Sequence, residues 1–253
     1  MSNSPYPNQG LKAWIDLSTY CNAACPQCHR TEAQGLTKQA WLPLIQWSLA
    51  DFKRKFPPES IKYYDQFEFC GTWGDPLMCK DIFKIVEYVL STDLGVKVQL
   101  NTNGSLRNPD WWWNFGVMGG DRLEVIFDID GIDQAMHERY RQNTDLNLIK
   151  DNVESFCTTP ARAAVSTIVF RHNENYVDDI EKMIRDWGVT GGHFPIESNR
   201  FYHGPSFSFA SANGHRILLE QTTQDNNSFH NYPVKDHRWR KKFDASGRTN
   251  NAL

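Results

Sequence analysis

The sequence predicts an α/β fold, a partial (β/α)6 barrel followed by an irregular C-terminal tail. Three observations predict it. Hydrophobic periodicity switches again and again between two and 3.6 residues, as it does where strands alternate with helices. Gly, Pro, Asn and Asp sit at the switch points. The 253 residues are enough for one such domain with an appendage. Strands alternating with helices imply parallel βαβ units with right-handed crossovers, and six of them make an open or partly closed barrel. The core is assigned to residues 1–203 and the extension to residues 204–253.

Leu11, Ala13, Ile15 and Leu17 alternate as a first strand that ends where a run of cysteines begins. Pro43 suits the first turn of a helix reaching about Phe56, and Tyr64 to Cys70 reads as the second strand. Gly71-Thr72-Trp73-Gly74-Asp75-Pro76 breaks that strand. Ile82, Ile85, Val86, Val89 and Leu90 then form one helical stripe.

Val96, Val98 and Leu100 mark a third strand, with a turn at Asn101-Thr102-Asn103-Gly104. Asn108-Pro109 supplies a helix cap and first helical residue. Trp111, Trp112 and Trp113 fall in that helix at positions facing three directions, which favours packing over a ligand platform. Leu123, Val125, Phe127 and Ile129 form a fourth strand, with Asp128 and Asp130 on its other face. A helix from Asp145 to Cys157, a strand from Ala163 to Phe170, a helix from Tyr176 to Trp187 and a short strand around His193 to Ile196 complete the pattern. After Gly204 the periodicity dissolves into a polar tail with a basic stretch from His237 to Lys242.

Hydrophobic residues make up 40% of the chain, and the net charge of −3 gives no global attraction for nucleic acid or anionic membrane. No stretch approaches the roughly 18 apolar residues of a membrane span, and the first ten residues lack a leader pattern, so a cytoplasmic protein is expected. Three of the six cysteines lie within eight residues, which suits metal or redox chemistry better than a disulfide framework.

Several chemistries fit Cys21-Asn-Ala-Ala-Cys25-Pro-Gln-Cys28-His29. Cys25 to His29 has the C-x-x-C-H pattern of haem attachment, which normally accompanies export. Cys25 and Cys28 resemble a thioredoxin-type pair, although that leaves Cys21 idle. Three cysteines and His29 match a Cys3His zinc set, although adjacent Cys28 and His29 are awkward partners for one tetrahedral ion. Three thiolates can also hold three irons of a cubane cluster and leave the fourth iron open. Buried structural thiols are the plainest alternative.

The C-x-x-x-C-x-x-C spacing after a first strand resembles the radical S-adenosylmethionine (SAM) superfamily, and so do four segments at later strand ends. Trp73-Gly74-Asp75-Pro76 resembles the family's Gly-Gly-Glu-Pro motif, which holds the SAM amino group. Asn101-Thr102-Asn103-Gly104 resembles its Thr-Asn-Gly turn near the ribose. Asp128-Ile129-Asp130-Gly131 resembles its Ser-Ile-Asp-Gly segment, with Tyr140-Arg141 matching a common Tyr-Arg pair. Ile168 to Glu174 resembles the strand end of the lineage that carries SPASM or Twitch extensions, with Arg171 a partner for SAM's carboxylate.

This resemblance implies a TIM-like barrel, one [4Fe–4S] cluster on Cys21, Cys25 and Cys28, and SAM bound through Gln27, Trp73, Gly74, Asp75, Asn101, Asn103, Asp128, Asp130 and Arg171. Asp128 and Arg141 are the expected catalytic residues. The implied reaction is reductive cleavage of SAM to a 5′-deoxyadenosyl radical that abstracts hydrogen from a peptide, protein or peptide-like substrate, with a flavodoxin or ferredoxin as electron donor. A small-molecule or nucleotide substrate and a non-catalytic metal-binding protein are the alternatives. The sequence departs from the family in three places. Gln27 stands where an aromatic residue often meets adenine, Asp75 replaces the longer glutamate, and no cysteine follows Tyr202 to hold auxiliary clusters.

Overall fold

The computed structural model describes residues 11–211 and 214–224. In chain order the elements are β1 (Leu11–Ile15), β2 (Thr31–Glu32), β3 (Thr37–Lys38), α1 (Leu49–Lys55), α2 (Pro58–Ile61), β4 (Tyr64–Phe69), α3 (Ile82–Thr92), β5 (Lys97–Thr102), α4 (Pro109–Gly119), β6 (Leu123–Asp128), α5 (Gln134–Glu138), α6 (Leu146–Cys157), β7 (Arg162–Val169), α7 (Val177–Asp186), β8 (His193–Glu197), β9 (Ser206–Ala210) and β10 (Arg216–Glu220). Short 3-10 turns precede β6 and α7 and follow β4.

Six strands form one parallel sheet in the order β1-β4-β5-β6-β7-β8. β1 and β8 lie at opposite edges and do not pair, so the barrel is partial, as the sequence predicts. The register carries Ile15 to Phe69, Phe69 to Leu100, Leu100 to Val125 and Val125 to Ala163. These side chains share the sheet face that the helices cover, and each is buried. All strands run the same way, so every loop that follows a strand emerges at one rim. Sites in such folds are assembled at that rim.

Ile82, Ile85, Val86, Val89 and Leu90 are the buried stripe of α3. On α4 the three tryptophans diverge, as helical spacing requires. Trp112 is wholly buried with its ring centroid 5.0 Å from Phe127 and 5.7 Å from Phe156, and its indole N–H donates to the Leu106 carbonyl at 3.1 Å. Trp111 stacks on Phe115, and Trp113 is 47% exposed.

Two sequence expectations are corrected. The helix assigned from Pro43 begins only at Leu49. Thr19 holds the preceding segment, its hydroxyl donating to the Pro43 carbonyl at 2.6 Å and accepting from the Ile45 amide at 2.8 Å, while the Trp47 amide donates to Leu17. Ser48 and Asp51 then form a reciprocal capping box that starts the helix. The expectation of irregular structure from residue 204 also fails locally, because β9 and β10 pair as an antiparallel hairpin. Phe209 and Leu219 are buried against Tyr140 and Phe170, and this tertiary contact stabilises strands too short to announce themselves. The basic stretch from His237 to Lys242 lies outside the described residues.

Trp112→Ala is expected to cost about 3–5 kcal/mol in urea unfolding through the cavity it leaves. Trp113→Ala, at an exposed position of the same helix, is expected to stay within about 0.5 kcal/mol of wild type.

Candidate active site

The cysteine loop leaves the C-terminal end of β1 and is shaped largely by its own backbone. The Cys28 amide donates to the Cys25 carbonyl at 3.0 Å, and the Thr31 amide to the Cys28 carbonyl at 2.8 Å. From behind, the Ala24 amide donates to the Gln142 carbonyl at 3.0 Å. Cys25 is buried, Cys21 and Cys28 are half-buried, and all three border one apolar cluster with Ala23, Tyr140 and Phe170. Burial pushes the Cys25 thiol up to about 12 against the pull of Arg141, and burial with the Asp75 charge pushes Cys21 up as well. In this apolar setting the free Cys21 and Cys25 thiols are neutral, and a metal that bound them would displace their protons.

The loop after β4 is locked onto this run. Gly74 passes so near residues 18–20 that a Cβ there would lie 2.2 Å from the Ser18 carbonyl and 2.5 Å from that of Tyr20, an approach only glycine allows. The Asp75 amide donates to the Tyr20 carbonyl at 2.8 Å. Its carboxylate accepts from the Leu77 amide, the Thr102 hydroxyl, the Asn103 amide and the Asn103 side chain, all within 3.0 Å. Asp75 thereby ties together the ends of β1, β4 and β5.

Asn103 extends the tie. Its side-chain amide donates to Asn22 at 2.9 Å and lies 3.9 Å from the Cys21 sulfur, while Asn22 donates back at 3.4 Å and to the Ser105 carbonyl. Asn101, two residues earlier, is half-buried on the sheet face away from the helices and accepts from Gln99. Trp73 is half-buried in an edge contact with Trp41, its centroid 5.3 Å away.

At the end of β6 Arg141 joins both aspartates, with Nε 2.6 Å from Asp130 and Nη1 3.2 Å from Asp128. Asp130 is fully buried and also accepts from the Ile168 amide at 2.7 Å. Burial raises the Asp128 carboxyl to about 6, with Arg141 opposing the rise. Behind them, His137 accepts from the Asp130 amide at 3.2 Å, and burial holds its imidazole down at about 3. Asn173 donates to the Asp130 and Ile168 carbonyls.

Two expected site residues are turned elsewhere. Gln27 accepts from the Ser198 hydroxyl at 2.8 Å, donates to the Arg200 carbonyl at 3.3 Å, and its own carbonyl accepts from the Arg200 guanidinium at 2.8 Å. It clasps the cysteine loop to the segment after β8 and is 6% exposed. Arg171 pairs with Glu174 at 3.0 Å and donates to Thr223, at the β9–β10 hairpin. Asn22, His137, Asn173 and the Ser198–Arg200 segment were not singled out from sequence. Asn22 lay inside the cysteine run and Asn173 inside the Ile168 to Glu174 segment, whereas His137 and the Ser198–Arg200 segment act through tertiary contacts alone.

The donor set fits a cluster, with three thiols on one loop bordered by apolar side chains. Among the described residues no group of three or more His, Cys, Asp or Glu side chains is drawn together around one point. A cubane asks for one thiolate on each of three irons instead.

His137 contributes a pH signature. Its folded-state pKa lies below the unfolded value, so its contribution is full above about pH 6.5 and fades as pH falls toward 3. His137→Gln is expected to cost about 1–3 kcal/mol at pH 7.5 in denaturant unfolding. The gap to wild type should narrow by pH 4.5, and a gap that stays constant would contradict the buried neutral ring.

No family model matches the chain. It is 25% identical over 202 residues to the AdoMet-dependent heme synthase of Nitratidesulfovibrio vulgaris, covering 74% of this chain and 48% of that protein. It is 38% identical over 147 residues to the protein of the same name from Methanosarcina barkeri, covering 56% and 36%. The chain thus spans half or less of these curated relatives. Among solved structures, Streptococcus suis SuiB bound to the precursor peptide SuiA aligns at a TM-score of 0.58 and 11% identity, covering 74% of this chain and 39% of SuiB. Native anSMEcpe with bound AdoMet and the Cp18Cys peptide aligns at 0.57 and 16%, covering 74% and 51%. The cysteine loop and its companion segments gather at the rim of a partial barrel, and in sequence the chain is similar to these AdoMet-dependent enzymes, with a fold shared by structures solved with AdoMet bound.

Proposed function

We propose that this chain binds one [4Fe–4S] cluster through Cys21, Cys25 and Cys28, binds SAM beside it, and uses the resulting radical to abstract hydrogen from a peptide, protein or peptide-like substrate. The observation that carries this reading is the convergence of the cysteine loop, the Asp75-centred strand ends and the Asp128–Arg141 pair at one rim. When bound, the cluster supplies one electron to SAM, delivered by a flavodoxin- or ferredoxin-type donor.

The protein's own part is placement. Asp75 fixes the Trp73–Gly74 backbone against Tyr20, and main-chain groups of this loop would hold the SAM amino group. Asp128, raised only to about 6, is ionised at neutral pH and can accept from ribose hydroxyls. Asn101 offers an amide on the same sheet face. Asp130 holds Arg141 and the start of the β7 rim loop and is a supporting residue rather than a direct contact.

A peptide substrate is supported by SuiB and anSMEcpe, each solved with a peptide bound. A small-molecule substrate is the second reading, favoured by the two curated relatives named for heme synthesis.

Anaerobic reconstitution with iron and sulfide, dithionite reduction and chromatography for 5′-deoxyadenosine test the proposal. Cys28→Ala is expected to lose the cluster. Asp128→Asn should keep its iron and form about tenfold less 5′-deoxyadenosine at limiting SAM, the loss expected for one charge-assisted hydrogen bond. Equal iron loss in both variants would contradict the assigned roles, and a stable wild-type cluster that never cleaves SAM would leave a metal-binding protein without this activity.

A further inference from the structure

Arg141 does more than neutralise two carboxylates. Its side chain is nine-tenths buried, and its Nη1, which holds Asp128 at 3.2 Å, also lies 4.0 Å from the Cys25 sulfur, at the outer limit of an N–H···S contact. Nε meanwhile anchors the head group on Asp130 at 2.6 Å. The guanidinium is therefore fixed at one end and shared at the other. Its fork has the planar geometry to serve a carboxylate and a neighbouring acceptor at once, which a lysine ammonium on a flexible stem does not.

The flanking residues keep this arrangement against the cysteine loop. Tyr140 packs with Cys25 and Phe170 in one apolar cluster, and the Gln142 carbonyl receives the Ala24 amide. Residues 140–142 thus form the rear wall of the loop, with a cation set into it. The nearby charges are Asp128 and Asp130, both on Arg141, and Asp75, whose carboxylate is already held by four donor groups. Arg30 stands on the Cys21 side, its Nε on the Thr19 carbonyl.

The geometry points to Arg141 as a positioning residue that sets the reduction potential of the bound cluster, donating from Nη1 to the Cys25 sulfur while Asp128 shares that nitrogen. This inference rests on the cluster assignment proposed above. Reduction adds negative charge to the cluster. A fixed cation and a hydrogen bond to a ligating sulfur stabilise that state and raise the potential, and a nearby carboxylate does the reverse. Asp128 shares the same nitrogen and offsets its charge, so removing the carboxylate's charge leaves more of the cation's field on Cys25.

The test is a redox titration of the cluster, read by electron paramagnetic resonance without SAM, on the reconstituted 253-residue wild-type chain and its Arg141→Lys, Arg141→Gln and Asp128→Asn variants. Iron per chain and circular dichroism are measured on each. The midpoint is expected to be highest in Asp128→Asn, then to fall through wild type and Arg141→Lys to Arg141→Gln. A merely structural arginine would change iron content or unfolding without ordering the midpoints. If Arg141→Gln does not fold, Arg141→Lys and Asp128→Asn still bracket wild type on opposite sides. Coincident midpoints in proteins of equal iron content would overturn the inference alone. A wild-type protein that forms no [4Fe–4S] cluster would overturn the functional reading and the inference with it.

Discussion

The rim of this half-barrel depends on one buried carboxylate. Asp75 is 3% exposed, and a charge so placed is tolerated only when donors surround it. Here they come from Leu77, Thr102 and Asn103, while the Asp75 amide reaches back to Tyr20. Satisfying one carboxylate therefore forces the ends of three strands into a single arrangement. The cysteine loop inherits its position from that arrangement, because its first residues are pressed against Gly74 and its Asn22 pairs with Asn103. The short Asp75 side chain acts as an internal tie.

A second centre lies across the loop. Arg141 holds Asp128 and Asp130, Asp130 accepts from the Ile168 amide, and Asn173 and His137 hold the Asp130 backbone. The loop is thus gripped from the β4–β5 side by hydrogen bonds to an acid and from the β6–β7 side by an ion pair beside Cys25. The Gln27 clasp to Ser198 and Arg200 adds a third attachment at the β8 edge. Loops on which chemistry depends need such fixation, since a misplacement of about 1 Å can cost a hundredfold in rate.

Much of this was legible in the sequence because it is local. Strand alternation marked β1, β5 and β6, the sequence also placed β4, β7 and β8, and the α3 stripe matched its buried residues one for one. The cysteine spacing and the strand-end segments marked the rim. What escaped depends on contacts distant in sequence. Thr19 draws residues 43–47 out of the helix that Pro43 suggests, and Phe209 and Leu219 make a hairpin only because Tyr140 and Phe170 receive them. Arg171 and Gln27 sit where family patterns place SAM contacts, yet their partners in the structure are Glu174, Thr223, Ser198 and Arg200. Periodicity reports which face of an element is buried, and it carries no information about which distant polar group a side chain will meet.

Three thiols on one loop would leave a bound cubane with one iron free of protein ligands, and the proposed function turns on that iron. The most direct measurement is the electron paramagnetic resonance spectrum of the reduced, reconstituted protein before and after SAM is added. A [4Fe–4S] signal whose g-values shift on addition of SAM, while Asp128→Asn requires more SAM for the same shift, is the predicted result. A signal indifferent to SAM, or a reconstituted protein holding zinc or a two-iron cluster instead, would contradict it.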